Sequence, residues 1–219
     1  MARQHTFLFA DLAGFTALTE AHGDQEAAEL AGRFFEEVRG LLSEHGAEEV
    51  KTIGDAVMVR CDDPERAVCL GLHLVEEIGG RPEFPSVRVG LHTGPAVARQ
   101  GDWFGAAVNL AARISGAAAG GEVLLSEGTR EAAGEMTGIE LRDRGTERFH
   151  NVSRPVRLFH AVREGDRRSG LPVDPVCRMA VDPSNDAGSL VHEGIEYRFC
   201  SLECARAFAS APEAYANPG

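Results

Sequence analysis

The sequence predicts an α+β fold: a ferredoxin-like βαββαβ core with extra helices and strands, followed by a small cysteine-rich unit. Three observations carry that reading. Apolar patterning from Thr6 to Thr93 follows the order strand, helix, strand, strand, helix, strand, which suits an antiparallel sheet with helices on one face. The stretch Arg163 to Gly170 has no apolar residue and two glycines, as a solvated linker does. Three of the five cysteines, Cys177, Cys200 and Cys204, fall after it. The resulting division is a first unit over 1–162, a linker over 163–171 and a tail over 172–219.

Taken in order, Thr6 to Asp11 is short and apolar and meets the turn Leu12-Ala13-Gly14, so it reads as a buried strand ending in Asp11. Asp24 can cap a helix in which Ala27, Leu30, Phe34, Val38 and Leu41 recur at three and four. Glu49 to Thr52 and Ala56 to Arg60 flank Ile53-Gly54-Asp55, a hairpin signal that sets Lys51 and Asp55 beside one tight turn. Asp63-Pro64 opens a second helix carrying Ala67, Leu70, Leu74 and Ile78, and Val87 to Thr93 resumes strand pattern. A turn at Gly94-Pro95, a loop through Gly101 to Gly105, a helix from Ala106 to about Ser115 and a strand at Val123 to Leu125 follow. Two late strands are expected to end the unit near Val162.

Acidic residues outnumber basic ones by 34 to 22, for a net charge of −12, which disfavours nucleic acid and anionic lipid as partners. No apolar run approaches the roughly 18 residues of a spanning helix, and Met1 to Ala10 lacks the charged and apolar regions of a signal peptide, so a cytoplasmic chain is expected. Reduced thiols or metal ligands are then the default for the cysteines, with Cys61 and Cys69 read as buried small hydrophobes. His92 reads as a satisfied strand histidine.

Asp11 at a strand end and Asp55 in a neighbouring turn can bring two carboxylates together, which suits Mg²⁺ shared with substrate phosphates. The backbone amides from Leu12 to Phe15 can face those phosphates. Taken alone, an aspartate next to glycine in a turn is ordinary turn chemistry. Asn109 and Arg113, one helical turn apart, project from one helix face away from Leu110 and Ile114. The full string is Phe9-Ala-Asp11-Leu-Ala-Gly14-Phe15-Thr16, Lys51-Thr-Ile-Gly54-Asp55, Gly90-Leu-His-Thr-Gly94, Asp102-Trp-Phe-Gly105, Val108-Asn109 and Ala111-Ala-Arg113. It resembles the class III adenylate and guanylate cyclases over roughly the first three quarters of the chain.

The resemblance implies that Asp11 and Asp55, with the Leu12 backbone, hold two Mg²⁺ or Mn²⁺ ions per active site, and that Gly14, Phe15, Thr16 and Arg148 bind the triphosphate. It implies that Asn109 positions the ribose and Arg113 stabilises charge on the pentavalent phosphorus. Lys51 and Asp102 stand at the base-selecting positions. An ammonium can donate to adenine N1 and a carboxylate can accept from N6, whereas guanine would make both contacts repulsive, so ATP is the expected substrate. The family assembles each site from two subunits, which implies a homodimer with two equivalent sites. His150 stands in the late flap where many relatives carry lysine, and the short Ala98 to Asp102 loop implies a reduced dimerisation arm.

In the tail, Asp174-Pro-Val-Cys177-Arg-Met179 opens the unit, Val191 to Cys200 reads as a hairpin turning at Glu193-Gly194, and a helix should follow Ser201. Cys177, Cys200 and Cys204 can share a metal, and thiolates favour Zn²⁺ or Cu⁺. The fourth position falls to His192, Asp174, water or nothing, and a metal-free unit with its cysteines packed in the core is the alternative. With Tyr197-Arg-Phe199-Cys200-Ser201, Cys204, Phe208 and Pro212-Glu-Ala-Tyr215, the tail resembles a YHS domain, a treble-clef-like module, with Arg178 where many relatives have glycine. The expected function is an adenylate cyclase making cyclic AMP and pyrophosphate from ATP, modulated by the tail. A catalytically silent nucleotide-binding module, a metal-sensing adaptor and a guanylate cyclase are the competing readings.

Overall fold

The computed structural model describes residues 3–81, 84–165, 172–179 and 181–216. Residues 166–171 of the expected linker lie outside the described residues, whereas Arg163 still belongs to the last strand before it. The first unit contains β1 (Gln4–Leu12), α1 (Phe15–His22), α2 (Asp24–Leu42), β2 (Ala47–Ile53), β3 (Ala56–Cys61) and α3 (Pro64–His73). A π turn at Leu74–Ile78 leads to β4 (Val87–Pro95), β5 (Val97–Arg99), β6 (Asp102–Phe104), α4 (Ala106–Ala117) and β7 (Val123–Ser126). Helix α5 (Glu127–Ala133) and strands β8 (Ile139–Glu147) and β9 (Val156–Arg163) complete it.

Seven strands form one sheet in the order β2-β3-β1-β4-β7-β9-β8, with the ferredoxin-like core at the β2 end. The pairing is mixed, because β4 and β7 run parallel. Strand alternation sorts β1 onto two cores. Leu8, Ala10 and Leu12 point towards α2 and α3, packing with Leu30, Phe34, Val38, Ala67 and Leu70. Phe7 and Phe9 point the other way, onto Ala107, Val108 and Ala111 of α4. Each such large side chain contributes about 1.5–3 kcal/mol by leaving water. The expectation of helices on one face therefore holds for the core, but α4 covers the opposite face. It sits so close to β4 that a Cβ at Gly90 would lie 2.0 Å from the Ser115 backbone nitrogen.

Local chemistry explains most boundaries. Asp63 caps α3 by accepting from the Arg66 amide, and Pro64 occupies the first turn. Gly54, with φ of 62°, makes the β2–β3 turn in a conformation that disfavours other residues. Asp24 is the first helical residue of α2 rather than its cap; Gly23, at φ 90°, separates α1 from α2. The stretch expected as a loop through Gly101 to Gly105 instead belongs to a small hairpin, β5–β6, in which Val97 faces Phe104.

The tail contains β10 (Ser189–His192), β11 (Ile195–Arg198), α6 (Leu202–Ser210) and α7 (Pro212–Tyr215). The hairpin turns at Glu193-Gly194, both at positive φ, as a two-residue primed turn requires. Ser201 caps α6 through the Cys204 amide. The tail packs on the first unit: Val176, Cys177, Phe199, Cys204 and Phe208 belong to the same buried cluster as Leu18 and Phe84. The Ser86 amide also donates to the Arg178 carbonyl at 2.8 Å, beside a Pro85–Met179 bridge.

Candidate active site

Asp11 and Lys51 lie on the α4 face of the sheet, and Asn109 and Arg113 on α4 itself. Asp11 shares the parity of Phe7 and Phe9, so it projects to that face at the end of β1. Its cross-strand partner in β4 is Arg88, whose Nε donates to Asp11 Oδ2 at 2.9 Å. Sequence reasoning missed Arg88; only the β1–β4 register reveals it. The other oxygen, Asp11 Oδ1, is buried and takes no hydrogen bond from an amide, hydroxyl or cationic group among the described residues.

Asp55, in the β2–β3 turn, meets Asp11. Burial, then the hydrogen bond shared with Asp11 and then the Asp11 charge, push the Asp55 carboxyl up to about 7. The pair thus keeps a proton where two ionised carboxylates would repel. A divalent cation does the same job without that proton, so the donor set and the orphaned Oδ1 fit Mg²⁺ or Mn²⁺.

Linkage follows from this shift. The Asp55 pKa is raised on folding, so between about 4 and 7 the native state binds more protons than the unfolded chain, and stability falls as pH rises across that window. In chelator, the thermal midpoint should be lower at pH 8 than at pH 5.5. Mg²⁺ or Mn²⁺ should restore it at pH 8, and Asp55→Asn should flatten the dependence, as read by calorimetry. An unchanged slope in Asp55→Asn would remove Asp55 as its source.

Lys51 and Asp102 come together from β2 and β6. Lys51 Nζ donates to Asp102 Oδ2 at 2.6 Å, and Asp102 Oδ1 accepts from the Trp103 amide at 2.7 Å. The Lys51 hydrogen bond is the chief reason the Asp102 carboxyl lies below its usual range. Lys51 lies across from Met58, whose side chain packs on the α4 side of the sheet. This pair is therefore ordered on the same face as Asp11.

Asn109 and Arg113 are not brought to the carboxylates. The buried side of α4 is Ala107, Val108, Ala111, Ile114 and Ser115. At 3.6 residues per turn, Asn109 and Arg113 fall on its opposite side and point away from the sheet that carries Asp11. Neither side chain has a partner among the described residues. Arg148 and His150 lie exposed just beyond the end of β8.

Gly14, at φ 77°, caps α1, leaving the amides of Phe15 and Thr16 at a helix N-terminus, a place that favours anions. The Ala13 amide is not available there, because it donates to the Ser86 carbonyl at 2.8 Å; this corrects the expectation that every amide from Leu12 to Phe15 faces phosphate. Leu12 is buried at the end of β1. Arg178 of the tail lies against this turn, and a Cβ at Gly14 would come within 2.4 Å of its Cγ.

The other expectations resolve simply. His92 accepts or donates at Ser126 Oγ over 2.7 Å, and burial pushes it down to about 4. The Cys61 thiol donates to the Asp63 carbonyl, and burial pushes it up. Cys177, Cys200 and Cys204 cluster, and Cys204 is held far below the usual thiol range by hydrogen bonds from Cys177 and Cys200. Neither expected fourth partner belongs to the group of close ligand atoms, although Asp174 lies beside Cys200. The Asp174 carboxylate is taken by the amides of Val176, Cys177 and Cys200, and His192 stacks edge-on to Phe208. The imidazole that does face the thiols is His22, at the end of α1. No helix among the described residues is long and apolar enough to cross a membrane.

Residues 2–154 match the family model of the adenylate and guanylate cyclase catalytic domain, and residues 173–219 match that of the YHS domain. A pH-sensitive adenylate cyclase of Mycobacterium tuberculosis is 43% identical over 175 residues, covering 77% of this chain and 43% of that protein. An adenylate cyclase of Streptomyces griseus is 33% identical over 176 residues, covering 80% of this chain and 44% of its own. The chain thus spans less than half the length of these two relatives. Among solved structures, the adenylyl cyclase CyaB from P. aeruginosa superimposes with a TM-score of 0.64 at 25% identity, over 78% of this chain and 98% of that one.

Proposed function

Because the chain belongs to the adenylate and guanylate cyclase catalytic domain family, we propose that it is an adenylate cyclase, converting ATP to 3′,5′-cyclic AMP and pyrophosphate at the interface of a homodimer. Catalysis is assigned to residues 1–162, and the unit at 172–219, joined through 163–171, modulates it from the cytoplasmic side where ATP is found. The observation that carries the choice of ATP is the joined Lys51–Asp102 pair, one donor and one acceptor held 2.6 Å apart. An adenine edge offers the complementary acceptor N1 and donor N6, so it can open this pair and satisfy both partners.

Asp11 and Asp55, with the Leu12 carbonyl, would hold two Mg²⁺ or Mn²⁺ ions. Such ions lower the pKa of a ribose 3′-hydroxyl and neutralise polyphosphate charge. Gly14, Phe15 and Thr16 offer helix-terminal amides to the phosphates, and Arg148 adds positive charge from the flap. The 3′-oxygen attacks the α-phosphorus and pyrophosphate leaves. Asn109 orients the ribose for that attack, and Arg113 stabilises the charge developing on the phosphorus.

Support for two subunits comes from the outward direction of Asn109 and Arg113, which leaves them free to complete a partner's site. Ile53, Val97 and Phe104 also remain more than half exposed around Asp55 and Asp102, the kind of apolar surface a partner covers. Chromatographic product analysis of the purified chain tests the reading, using ATP or GTP with Mg²⁺ or Mn²⁺ beside an Asp55→Ala control. Cyclic AMP present in the parent and lost in the control supports it. Absence of both cyclic products from a verified dimer sinks it in favour of a silent nucleotide-binding module.

A further inference from the structure

The thiol cluster has a fourth member that comes from the other unit of the chain. Cys177 Sγ and Cys200 Sγ lie 3.3 Å apart, and Cys200 Sγ and Cys204 Sγ 3.9 Å. His22 Nε2 lies 3.6 Å from Cys204 Sγ and 3.8 Å from Cys200 Sγ, and all four ligand atoms fall within 4.8 Å of one another. We propose that Cys177, Cys200, Cys204 and His22 form a closed tetrahedral Zn²⁺ site that pins the tail to helix α1 of the cyclase unit.

The spacing is that of a coordination shell. Tetrahedral zinc with Zn–S near 2.3 Å sets its sulfurs about 3.8 Å apart. Three thiolates with one imidazole and no open position form a structural zinc set, and the thiols give up their protons as the ion enters.

The surroundings hold these groups in place. His22 Nδ1 lies 3.2 Å from Glu26 Oε1, one helical turn on, a carboxylate placed to take the Nδ1 proton and so leave the Nε2 lone pair for a metal. Asp174, fully buried, accepts from the amides of Val176 at 2.8 Å and Cys200 at 2.8 Å, tying together the two segments that carry Cys177 and Cys200. Ser201 fixes the Cys204 turn by capping α6. Asp174 thus orients ligands without being one.

The pin brackets α1 at both ends. His22 ligates from its last residue, while Arg178, next in sequence to Cys177, packs on Gly14 before its first. Metal loading therefore fixes the helix whose N-terminus faces the proposed phosphate position. This site goes beyond the cyclase reading, and its readouts do not depend on cyclic AMP.

The test uses the whole 219-residue chain. Elemental analysis should find about one zinc per chain. Co²⁺ added to metal-free protein should give intense tetrahedral ligand-field bands with thiolate-to-cobalt charge transfer. His22→Ala and His22→Gln should lower Zn²⁺ affinity by at least about 10²-fold and change the Co²⁺ ligand-field bands, whereas Glu26→Gln should lower affinity less, by about tenfold, with parent-like bands. Hydrogen exchange across residues 14–22 should quicken on metal removal and in both His22 variants, with parent-like far-UV dichroism showing that they fold. Parent-like Zn²⁺ affinity and Co²⁺ spectra in both His22 variants would overturn the cross-unit site. So would a reduced protein that takes up no Zn²⁺, or one that binds only Cu⁺ through its three sulfurs.

Discussion

Arg113→Ala should lower kcat for cyclic AMP formation by about 10²–10³-fold with little change in dimerisation, because it removes positive charge needed mainly as the phosphorus becomes pentavalent. Asp55→Ala should be at least as damaging, by removing one of two carboxylates available to the cations. The informative experiment combines them. Arg113 points away from the Asp11–Asp55 side of its own sheet, so in the proposed dimer each variant spoils a different half of a two-subunit site. A heterodimer of the two keeps one intact site, built from the Asp55 of one chain and the Arg113 of the other. Mixed in equal amounts with random exchange, the variants should recover about one quarter of parent activity, since half the dimers are mixed and each has one working site. Recovery is measured as cyclic AMP formed after co-refolding or co-expression. No recovery from dimers shown by mass to be mixed would mean that each site draws both residues from a single chain, and the shared-site reading would fail.

Legibility in the sequence followed the range of the interactions involved. The β2–β3 hairpin, α3 with its Asp63-Pro64 start, and the Glu193-Gly194 turn were readable because their signals lie within a few residues. Helix α1 was not, since its N-cap is a left-handed Gly14 with no side-chain bond and only Leu18 of its eight residues is fully buried. Missing α1 also hid His22, whose thiol partners stand 178 and 182 positions away in sequence. Arg88 escaped for a related reason: alternation marks a strand but not which residue lies across from Asp11. Placement of α4 on the second face depends on Gly90 letting it settle on β4, a tertiary contact that periodicity does not encode.

The second large effect concerns the base. Lys51 and Asp102 form a donor and acceptor of fixed order, anchored from behind by the Trp103 amide on Asp102. Losing both charge-assisted hydrogen bonds to the base edge should lower kcat/KM for ATP by roughly 10²–10⁴-fold. Reversing the order does more than delete the contacts. In Lys51→Glu/Asp102→Ser, the carboxylate can accept from guanine N1–H and the hydroxyl can donate to O6, while adenine N1 meets a carboxylate and is repelled. The double variant should therefore lose most activity on ATP and gain activity on GTP, each measured as kcat/KM for its cyclic product. Lys51→Glu alone should lose ATP activity without matching that gain, because Asp102 still repels O6. Unaltered preference for ATP in a folded double variant would show that selection lies elsewhere. A double variant inactive on both nucleotides, yet parent-like in dimerisation and Mn²⁺ binding, would instead assign the pair to orienting the nucleotide rather than choosing it.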